Sequence, residues 1–550
     1  MRILVVGGVA GGMSFAARAR RLDESAEIVV FERDPYVSFA NCGLPYYVAG
    51  EIRERDDLLL HTPESLAASL ALDVRIGHEV ISIDRAARTI TVRTPDGTEA
   101  VEPYDVLVLS TGAAPIIPPI DGLELPEVRR RTHVLRNVPD VDAITALVDQ
   151  GAETAVILGA GFIGLEMTEA LVNRGVSVAL VDLANQVLSP LDPEMARTVQ
   201  TELTRAGVDV HLGVSATAID DTAVTLSDGT RLPADLVVMA IGVRPESDLA
   251  VAAGLEQGVR GAIRVNGHSL TSDPAIYAVG DSVEVTDAVT DQVGVVPLAG
   301  LANRQGRAAA DHLFGRDDHR PPALGTAIVR VFDVTAATTG ASEKVLAARD
   351  VDYRKIYLHP NDHAGYYPGA SSIHLKLLFA PDGRVLGAQA VGKAGVDKRI
   401  DVIATALRAG MTIDDLAELE LAYAPPFGSA KDPVNMAGFM AQNLLRGDVR
   451  FWYGEELDRL PDDAVLLDVR TPREVSRGAL PGAINIPHTE LRERIGELPL
   501  GRPVYAYCAS GFRSDLAARL LMQRGFDAAT LAGGMATMRS WLQIDRESAE

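Results

Sequence analysis

The chain has 550 residues, and at roughly 150 residues per domain this length predicts three to four domains. Hydrophobic residues make up 47% and charged residues 23%, a composition that excludes a disordered or fibrous chain. The 52 basic and 75 acidic residues give a net charge of −23, which repels polyanions and excludes nucleic acid as the main partner.

The chain has two cysteines, Cys42 and Cys508, which are too few for a disulfide framework. This usage predicts a cytoplasmic protein in which both thiols are available for chemistry. The apolar stretch after Met1 imitates a signal peptide, but four glycines within residues 7–12 favour a buried strand that enters a helix. Because no run reaches the roughly 18 apolar residues of a membrane span, we expect a soluble, untargeted protein.

A pattern of strand, glycine turn, helix, strand and acidic residue occurs twice. The first copy has its turn at residues 7–12 and its acid at Glu32, and the second has a GxGxxG turn at 159–164 and its acid at Asp182. In such units the turn approaches a pyrophosphate at a helix N-terminus and the acid binds ribose hydroxyls. Two copies indicate a flavin that exchanges electrons with a nicotinamide cofactor. No basic residue closely follows Asp182, which favours NADH over NADPH.

Three later motifs complete a resemblance to the pyridine nucleotide-disulfide oxidoreductase family over residues 1 to about 445. They are Ser110-Thr111-Gly112-Ala113, Ile241-Gly242-Val243-Arg244-Pro245 and Tyr277-Ala278-Val279-Gly280-Asp281. The resemblance implies an α/β fold with Rossmann-like FAD and NAD(P) domains, the second inserted into the first, and an α+β dimerisation domain. The implied boundaries are 1–115 and 245–325 for FAD binding, 116–244 for NAD binding and 326–446 for dimerisation.

The resemblance also assigns the cofactor residues. For FAD these are Gly7, Gly8, Ala10, Gly11, Glu32, Arg33, Asn41, Val80, Ser110, Thr111, Gly112, Asp281 and Ala299. For the nicotinamide cofactor they are Gly159, Gly161, Gly164 and Asp182, with Gly242 of the later turn also expected at a cofactor. Asp281 is expected to bind the ribityl chain of the flavin, although a helix N-cap is an alternative role that is compatible with binding.

Cys42 lies in the segment SFANCGLPYY, where the family places its redox cysteine. Glutathione-reductase-like members carry a second cysteine nearby, but Tyr47 stands five positions after Cys42, so no internal disulfide can form. The thiol must cycle through a mixed disulfide or a sulfenic acid. Peroxidase-like members have a His in the first glycine turn, where this chain has Ala10, so the resemblance favours coenzyme A disulfide or persulfide reductases. An ordinary buried cysteine is the alternative.

Substrate residues are expected near this thiol. Arg18 and Arg21 share a helix face and could bind the phosphates of coenzyme A, together with Ser38 and Asn41 at the thiol segment. A solvated basic face is the alternative for the two arginines.

Residues 326–446 resemble the interface domain that completes the partner subunit's active site, which implies a homodimer. Tyr423 and one of Tyr366 and Tyr367, with Tyr367 preferred, are expected to reach the thiol across the dimer. A phenol there could donate a proton, and interface packing is the alternative role.

After a linker at 447–454, residues 455–550 resemble a C-terminal α/β rhodanese domain. The loop from Cys508 to Arg513 has six residues, which matches sulfur-transfer rhodaneses rather than the related phosphatases, whose loop is one residue longer. Cys508 and Arg513 are therefore expected to be catalytic, because inward N–H groups and a helix dipole stabilise a thiolate or persulfide. Ala479 departs from the His that the family usually has, and we predict no metal site.

The sequence therefore predicts that hydride passes from NADH to FAD to Cys42, which cleaves the sulfur-sulfur bond of a small persulfide, a polysulfide or coenzyme A disulfide. Cys508 is expected to carry sulfane sulfur, which could reach Cys42 by domain swinging near residues 447–455 or on a small thiol such as coenzyme A. An NADH oxidase or peroxidase is one alternative, and a flavin redox sensor or sulfur carrier without turnover is another.

Overall fold

The computed structural model describes residues 1–316 and 320–542. Residues 317–319 and 543–550 fall within the predicted FAD and rhodanese domains and lie outside the described residues. The fold is mixed α/β, which confirms the predicted class. None of the described helices is both long and apolar enough to cross a membrane.

The chain divides into two compact units. The first contains Met1–Asn185 and Gly207–Gly325, and the second contains Gln186–Ala206 and the chain from Thr326 onward. The second unit thus includes helix Pro193–Arg205, which lies within the predicted NAD-binding domain.

Two five-stranded parallel sheets form the core of the first unit. Their central strands are buried and consist of nearly continuous apolar runs, as expected for parallel sheets covered by helices. The first sheet has the spatial order Ile276–Ala278, Val106–Leu109, Arg2–Val6, Glu27–Glu32 and Asp73–Ile76. The second has the order Asp209–Leu212, Ser177–Asp182, Thr154–Leu158, Leu236–Met239 and Thr132–Val134. Because Ile276–Ala278 returns to the first sheet after the second is complete, the second sheet is an insertion in the first.

Helices cover both sheets, and smaller antiparallel sheets lie beside them. The helices are Ala10–Leu22, Leu44–Val48, Pro63–Leu70, Pro126–Arg129, Val138–Asp149, Phe162–Asn173, Asp248–Ala252 and Ala299–Leu313. The antiparallel strands are Glu79–Asp84, Thr89–Arg93 and Glu99–Pro103; Ala216–Ile219, Ala223–Leu226 and Arg231–Pro233; Ala113–Pro115 with Val243–Pro245; and Val285–Thr286 with Val293–Gly294. Helix Ala10–Leu22 packs closely on Ala299–Leu313, since a Cβ on Gly306 would lie 2.2 Å from the Gly11 carbonyl oxygen.

The first part of the second unit is a five-stranded antiparallel sheet. Its order is Ala327–Val331, Val334–Gly340, Val385–Gly392, Ile373–Phe379 and Arg354–Leu358. Its helices are Glu343–Ala347, Val396–Arg408, Ile413–Glu418 and Pro433–Leu445. Apolar residues of the central strands and of these helices form one buried core.

A buried lysine attaches helix Pro193–Arg205 to this sheet. The side chain of Lys376 is fully buried, and its ammonium donates to Asp192 Oδ2 at 2.7 Å, to Glu194 Oε1 at 2.5 Å and to Glu343 Oε1. A buried charge is tolerated only when it is paired and hydrogen-bonded, so these bonds explain why the helix groups with the second unit.

The C-terminal part of the second unit is built on a five-stranded parallel sheet. Its order is Phe451–Trp452, Ala528–Leu531, Val504–Tyr507, Val465–Asp468 and Ile484–Asn485. Its helices are Pro472–Val475, Leu491–Arg494, Phe512–Gln523 and Gly534–Trp541. Phe451–Trp452 lies within the predicted linker, yet it pairs with a sheet strand and Trp452 is buried.

This C-terminal domain packs against the antiparallel sheet. The Tyr453 hydroxyl donates to the Lys355 carbonyl oxygen at 2.9 Å. The buried Thr537 hydroxyl lies 2.9 Å from His359 Nε2 and 3.1 Å from His374 Nε2. These hydrogen bonds join the two parts of the second unit.

Candidate functional site

Cys42 lies on the single 3-10 turn Asn41–Gly43, which leads into helix Leu44–Val48. Its side chain is exposed and forms no disulfide. Partial burial raises the pKa of the Cys42 thiol, and the negative charges of Glu166 and Asp281 raise it further. The protein alone therefore favours the thiol over the thiolate at this position.

The second nucleotide unit holds the thiol segment in place. Tyr46 donates from its hydroxyl to Glu166 Oε1 at 3.2 Å, and Arg174 Nη1 donates to the Val48 carbonyl oxygen at 2.9 Å. Asn41 Nδ2 donates to a backbone carbonyl of the same unit at 3.1 Å. Glu166 was not among the residues predicted from the sequence, although its position two residues after the last glycine of the GxGxxG turn was a usable signal.

The predicted FAD residues gather where four strands of the first parallel sheet end. Gly7 follows Arg2–Val6, Glu32 ends its strand, Ser110 follows Val106–Leu109 and Asp281 closely follows Ile276–Ala278. The carboxyl ends of parallel strands lie at one edge of a sheet, where open α/β folds bind their ligands.

The first glycine turn has the close backbone approach that a pyrophosphate site requires. Gly7 has a φ of 102°, and a Cβ on Gly12 would lie 2.0 Å from the Gly7 carbonyl oxygen. Glu32 Oε2 accepts from the Gly8 N–H at 2.7 Å and Oε1 accepts from the Asp34 N–H at 2.9 Å. Burial raises the pKa of Glu32, which these two bonds oppose.

Asp281 provides an open acceptor at this edge. Among residues 1–316 and 320–542, no hydrogen-bond donor reaches its carboxylate, and burial raises its pKa against the opposing charge of Arg136. A partly buried carboxylate without a donor is costly, so a ligand hydroxyl would be a suitable partner for it. The residues present therefore fit the ribityl chain of FAD.

The other predicted residues of this site have varied surroundings. Arg33 forms a two-bond ion pair with Glu246, and Thr111 Oγ1 donates to the Glu246 carbonyl oxygen. The N–H of Ser38, whose φ is 49°, donates to the Gly8 carbonyl oxygen at 2.8 Å. Three more are Gly112 with a φ of 74°, Val80 in the strand Glu79–Asp84 and Ala299 as the first residue of helix Ala299–Leu313. The last two, Ala10 and Gly11, begin helix Ala10–Leu22.

The second glycine turn also fits a dinucleotide. A Cβ on Gly164 would lie 1.9 Å from the Gly159 carbonyl oxygen, whereas one on Gly161 would meet no atom within 4 Å. The open space at Gly161 is suited to a pyrophosphate. Asp182 accepts from the N–H groups of Ala160 and Ala184 at 2.6 and 2.7 Å, and its remaining lone pairs can accept ribose hydroxyls. Gly242, with a φ of 133°, follows the neighbouring strand at the same edge.

Arg18 and Arg21 differ in their hydrogen bonding. Arg18 donates from Nε and Nη2 to Asp311 Oδ1 at 2.8 and 2.5 Å, and Asp311 is buried. Arg307 and Arg316 lie 3.8 and 3.7 Å from the same carboxylate. Three arginines thus share one acid, while the Arg21 guanidinium donates to the Ala17 carbonyl oxygen of its own helix at 3.0 Å. This surface is locally basic on an acidic protein.

Two of the three predicted tyrosines meet in the second unit. The hydroxyl oxygens of Tyr366 and Tyr423 lie 3.1 Å apart, and their side chains are 76% and 48% exposed. The hydrogen bond to Tyr423 raises the pKa of Tyr366. Tyr367 instead packs edge-on against His363, with ring centroids 5.7 Å apart.

Cys508 lies at the end of strand Val504–Tyr507, and its side chain is 1% exposed. Its Sγ accepts from the Gly511 N–H at 3.2 Å, an approach that depends on the positive φ of 99° at Gly511. Ser514 Oγ lies 3.4 Å from Sγ and accepts from the buried hydroxyl of Thr530 at 2.8 Å. With helix Phe512–Gln523 beginning at the loop, these donors can stabilise a sulfur anion.

Arg513, the last residue of the loop, is held by an acid that the sequence analysis missed. Its Nη1 and Nη2 donate to Glu474 Oε2 and Oε1 at 2.8 and 2.6 Å. The spacing Thr471-x-x-Glu474 is a capping box, so the position of Glu474 at a helix start was visible in the sequence.

Comparison with known proteins extends over the whole described chain. Residues 1–306 match the pyridine nucleotide-disulphide oxidoreductase family, residues 326–433 match its dimerisation domain and residues 454–540 match the rhodanese-like domain. The resemblance that the motifs indicated is thereby confirmed.

Similar proteins cover either most or all of the chain. A coenzyme A disulfide reductase of Staphylococcus haemolyticus is 38% identical over 80% of this chain and 100% of its own length. The crystal structure of a reduced CoADR-RHD from Bacillus anthracis has a TM-score of 0.97 and 46% identity, covering 98% of both chains. A NAD-dependent persulfide reductase from A. fulgidus has a TM-score of 0.92 and 40% identity, covering 98% of this chain and 100% of that one. The chain therefore belongs to the pyridine nucleotide-disulphide oxidoreductase family and carries a C-terminal rhodanese-like domain.

Proposed function

We propose that this enzyme uses NADH to reduce the sulfur-sulfur bond of small persulfides, polysulfides or coenzyme A disulfide at Cys42. The observation that carries the proposal is the exposed, unpaired Cys42 thiol in the unit that also contains both dinucleotide turns. When bound, FAD and NADH supply the two electrons that reopen a mixed disulfide on Cys42. The names of the similar proteins support this substrate class.

Cys42 acts as the nucleophile. Its thiolate attacks the sulfur of the persulfide that carries the organic group, the Cys42 Sγ–S bond forms, and hydrosulfide leaves with the outer sulfur. Two electrons then break this mixed disulfide, which regenerates the Cys42 thiolate and releases the second thiolate to take up a proton. With coenzyme A disulfide, a coenzyme A thiolate leaves in the first step instead.

A homodimer provides the proton donors in this proposal. The Tyr366–Tyr423 pair lies in the dimerisation domain, and its exposed hydroxyls are available to a second copy of the chain. Because its hydrogen bond raises the pKa of Tyr366, the phenol stays protonated at neutral pH and can protonate a leaving thiolate. The preference for Tyr367 stays a prediction. The contact between Tyr366 and Tyr423 favours Tyr366 instead.

Coenzyme A is the proposed small-thiol substrate or carrier. Its phosphates need a basic surface, and the arginines around Asp311 form one together with Arg21. Asp311 holds the Arg18 guanidinium in place. Arg307 and Arg316 also lie near Asp311, but their side chains are largely exposed to solvent and available to a phosphate.

Cys508 is proposed to receive sulfane sulfur, which then passes to Cys42 on a small thiol. The hydrogen bonds of Tyr453 and Thr537 to the antiparallel sheet favour this route over swinging of the C-terminal domain, because swinging would break them. Ala10, in place of the peroxidase histidine, argues against peroxide as the substrate.

Steady-state NADH oxidation with coenzyme A disulfide, coenzyme A persulfide, glutathione persulfide and polysulfide tests the proposal. We expect multiple turnovers with at least one of them, whereas a redox sensor would stop after one. Cys42→Ser should keep FAD and the reduction of flavin by NADH but lose sulfur turnover by at least about a thousandfold. Unchanged persulfide reduction in that variant would contradict the role of Cys42.

A further inference from the structure

The charged side chains around the Cys508 loop form closed pairs. Arg513 and Glu474 make two parallel bonds at 2.8 and 2.6 Å, with side chains 22% and 33% exposed. Glu474 is held in turn by the N–H and hydroxyl of Thr471, which donate to Oε2 at 3.0 and 2.7 Å. Arg513 lowers the pKa of Glu474 to about 2, so the acid is ionised throughout the working range.

The two neighbouring arginines of the loop wall are also paired. Arg470 donates to both carboxylate oxygens of Asp468, at 3.0 Å from Nε and 2.7 Å from Nη2, and this pair is buried. Arg519, on the helix that follows the loop, donates to Asp515 at 3.1 Å. Each cation is thus balanced by a carboxylate. The Gly511 N–H and the start of helix Phe512–Gln523 also direct positive potential to Cys508, beside the paired Arg513.

We propose that Glu474 is a specificity-determining residue, which neutralises Arg513 so that the Cys508 site selects persulfides of low charge over dianionic donors such as thiosulfate. The proposal rests on the proposed function of Cys508 as an acceptor of sulfane sulfur. An arginine that forms two parallel bonds with a carboxylate has fewer N–H groups and less net charge to offer an anion.

The two donors transfer the same atom but differ in charge. The Cys508 thiolate attacks the outer sulfur of a persulfide R–S–SH, so a Cys508 Sγ–S bond forms, the donor S–S bond breaks and R–S⁻ leaves. With thiosulfate the same bond forms and sulfite leaves as a dianion. A dianion that approaches a thiolate is repelled, and an unpaired cation nearby would offset much of this repulsion. Glu474 removes that cation.

The inference is tested by comparing the sulfur-transfer rates of the wild-type and Glu474→Gln proteins, each as the full-length, FAD-loaded enzyme. Glutamine keeps an oxygen for Thr471 but leaves Arg513 with its full charge. We expect kcat/KM for thiosulfate, with cyanide as acceptor, to rise about tenfold, mainly through KM. For the persulfide of 2-mercaptoethanol, which carries at most one negative charge, we expect a change of less than about twofold. The gain with thiosulfate should also decrease more steeply with salt than the wild-type rate.

Two further variants control for net charge and for geometry. Glu497→Gln makes the same charge change in a surface ion pair of this domain, where Glu497 accepts from Arg494 Nε at 2.7 Å. This variant should leave kcat/KM unchanged for both sulfur donors. Glu474→Asp keeps the charge and should stay near the wild-type selectivity. If Glu474→Gln does not fold, Thr471→Val removes one hydrogen bond to Glu474 and should give a smaller gain, about twofold, selective for thiosulfate.

Equal gains for both donors, or no gain for thiosulfate in a folded Glu474→Gln protein, overturn the inference. Mass spectrometry of Cys508 separates this result from failure of the proposed function. If the wild-type protein acquires no sulfur on Cys508 from either donor, the proposed function of this domain is wrong. If it is loaded by the persulfide while Glu474→Gln leaves donor choice unchanged, only the role of Glu474 is wrong.

Discussion

Cys42 and Cys508 have the same thiol group, but their surroundings have opposite effects on a sulfur anion. At Cys42, partial desolvation of the sulfur and the negative charges of Glu166 and Asp281 raise the pKa of the thiol. At Cys508, a backbone N–H and the Ser514 hydroxyl face a buried sulfur at the start of a helix. The first site disfavours the anion, and the second is built to receive it.

This contrast indicates a division of labour. Preformed donors, such as the Gly511 N–H and the Ser514 hydroxyl, suit a cysteine that carries a sulfur anion between partners, since the anion must persist. A thiol that the protein alone does not ionise suits a site completed by bound cofactor and substrate, where the thiolate forms only when its reaction partners are present. The comparison therefore predicts that the two cysteines can be inactivated separately.

The largest expected effect is that of Cys508→Ser on sulfur transfer. The variant should lose transfer from thiosulfate to cyanide by at least about a thousandfold, because the nucleophile is gone. NADH-dependent reduction of free small persulfides should stay within about threefold of wild type, because these substrates can enter the Cys42 site directly. Rates of both reactions, with FAD content and folding checked, measure this difference. Complete loss of both would show that sulfur passes obligatorily through Cys508.

The sequence identified both cysteines because each lies in a local motif. The glycine turns, Glu32, Asp182 and the six-residue loop are also contiguous or regularly spaced, and local chain geometry determines what they do. For this reason the fold class and the two nucleotide units were predictable without a structure.

The partners of these residues were not predictable in the same way. Glu166 reaches Tyr46 across 120 positions of the chain, and Tyr366 reaches Tyr423 across 57. Glu474 meets Arg513 across 39. Such contacts depend on how sheets and helices pack, and one sequence does not reveal which of two adjacent tyrosines faces its partner. The Pro193–Arg205 helix joined the second unit for the same reason, through a buried lysine far along the chain.

The next largest effect concerns the electron supply, which we propose for the unit that contains Cys42 and both dinucleotide turns. Wild-type enzyme should prefer NADH over NADPH by at least about tenfold in kcat/KM, because Asp182 repels a 2′-phosphate. Asp182→Ser should reduce that preference by about tenfold. Glu153→Gln, an exposed acid at the other end of the sheet, should leave the preference unchanged. A wild-type preference for NADPH would contradict the role of Asp182.

A smaller effect is expected at the Cys42 thiol itself. Its pKa is raised, so a higher pH is needed to form the thiolate, and Glu166 contributes to this through its negative charge. Glu166→Gln removes that charge, which lowers the thiol pKa and increases the thiolate fraction at pH 8. We expect alkylation of Cys42 by iodoacetamide at pH 8 to become about threefold faster.

The pH profile of alkylation checks the sign of this effect. The curve for Glu166→Gln should shift toward lower pH, and that for Glu127→Gln, which changes an exposed acid elsewhere in the unit, should coincide with wild type. A shift toward higher pH would mean that Glu166 acts through its bond to Tyr46 rather than through its charge.

A further effect of similar size tests the donors at Cys508. Thr530 donates to Ser514 Oγ at 2.8 Å, which leaves the Ser514 proton directed toward Cys508 Sγ or the Gly511 carbonyl oxygen, at 3.4 and 3.1 Å. Thr530→Val keeps the shape of the side chain and removes one buried hydrogen bond, worth about 1 kcal/mol. Because the donors act on the sulfur rather than on the free substrate, kcat for sulfur transfer should fall about fivefold with KM little changed.

A second buried threonine of the same domain provides the matched control for this variant. Thr537 bonds to His359 and His374 and is not bonded to the sulfur, so Thr537→Val should cost similar stability in thermal unfolding and leave kcat within about twofold. NADH-dependent persulfide reduction at Cys42 should be unchanged in both variants. If both threonine variants lower kcat for sulfur transfer equally, the Thr530 effect comes from a general loss of stability of the domain. Cys508 then does not depend on the hydrogen bond from Thr530 to Ser514.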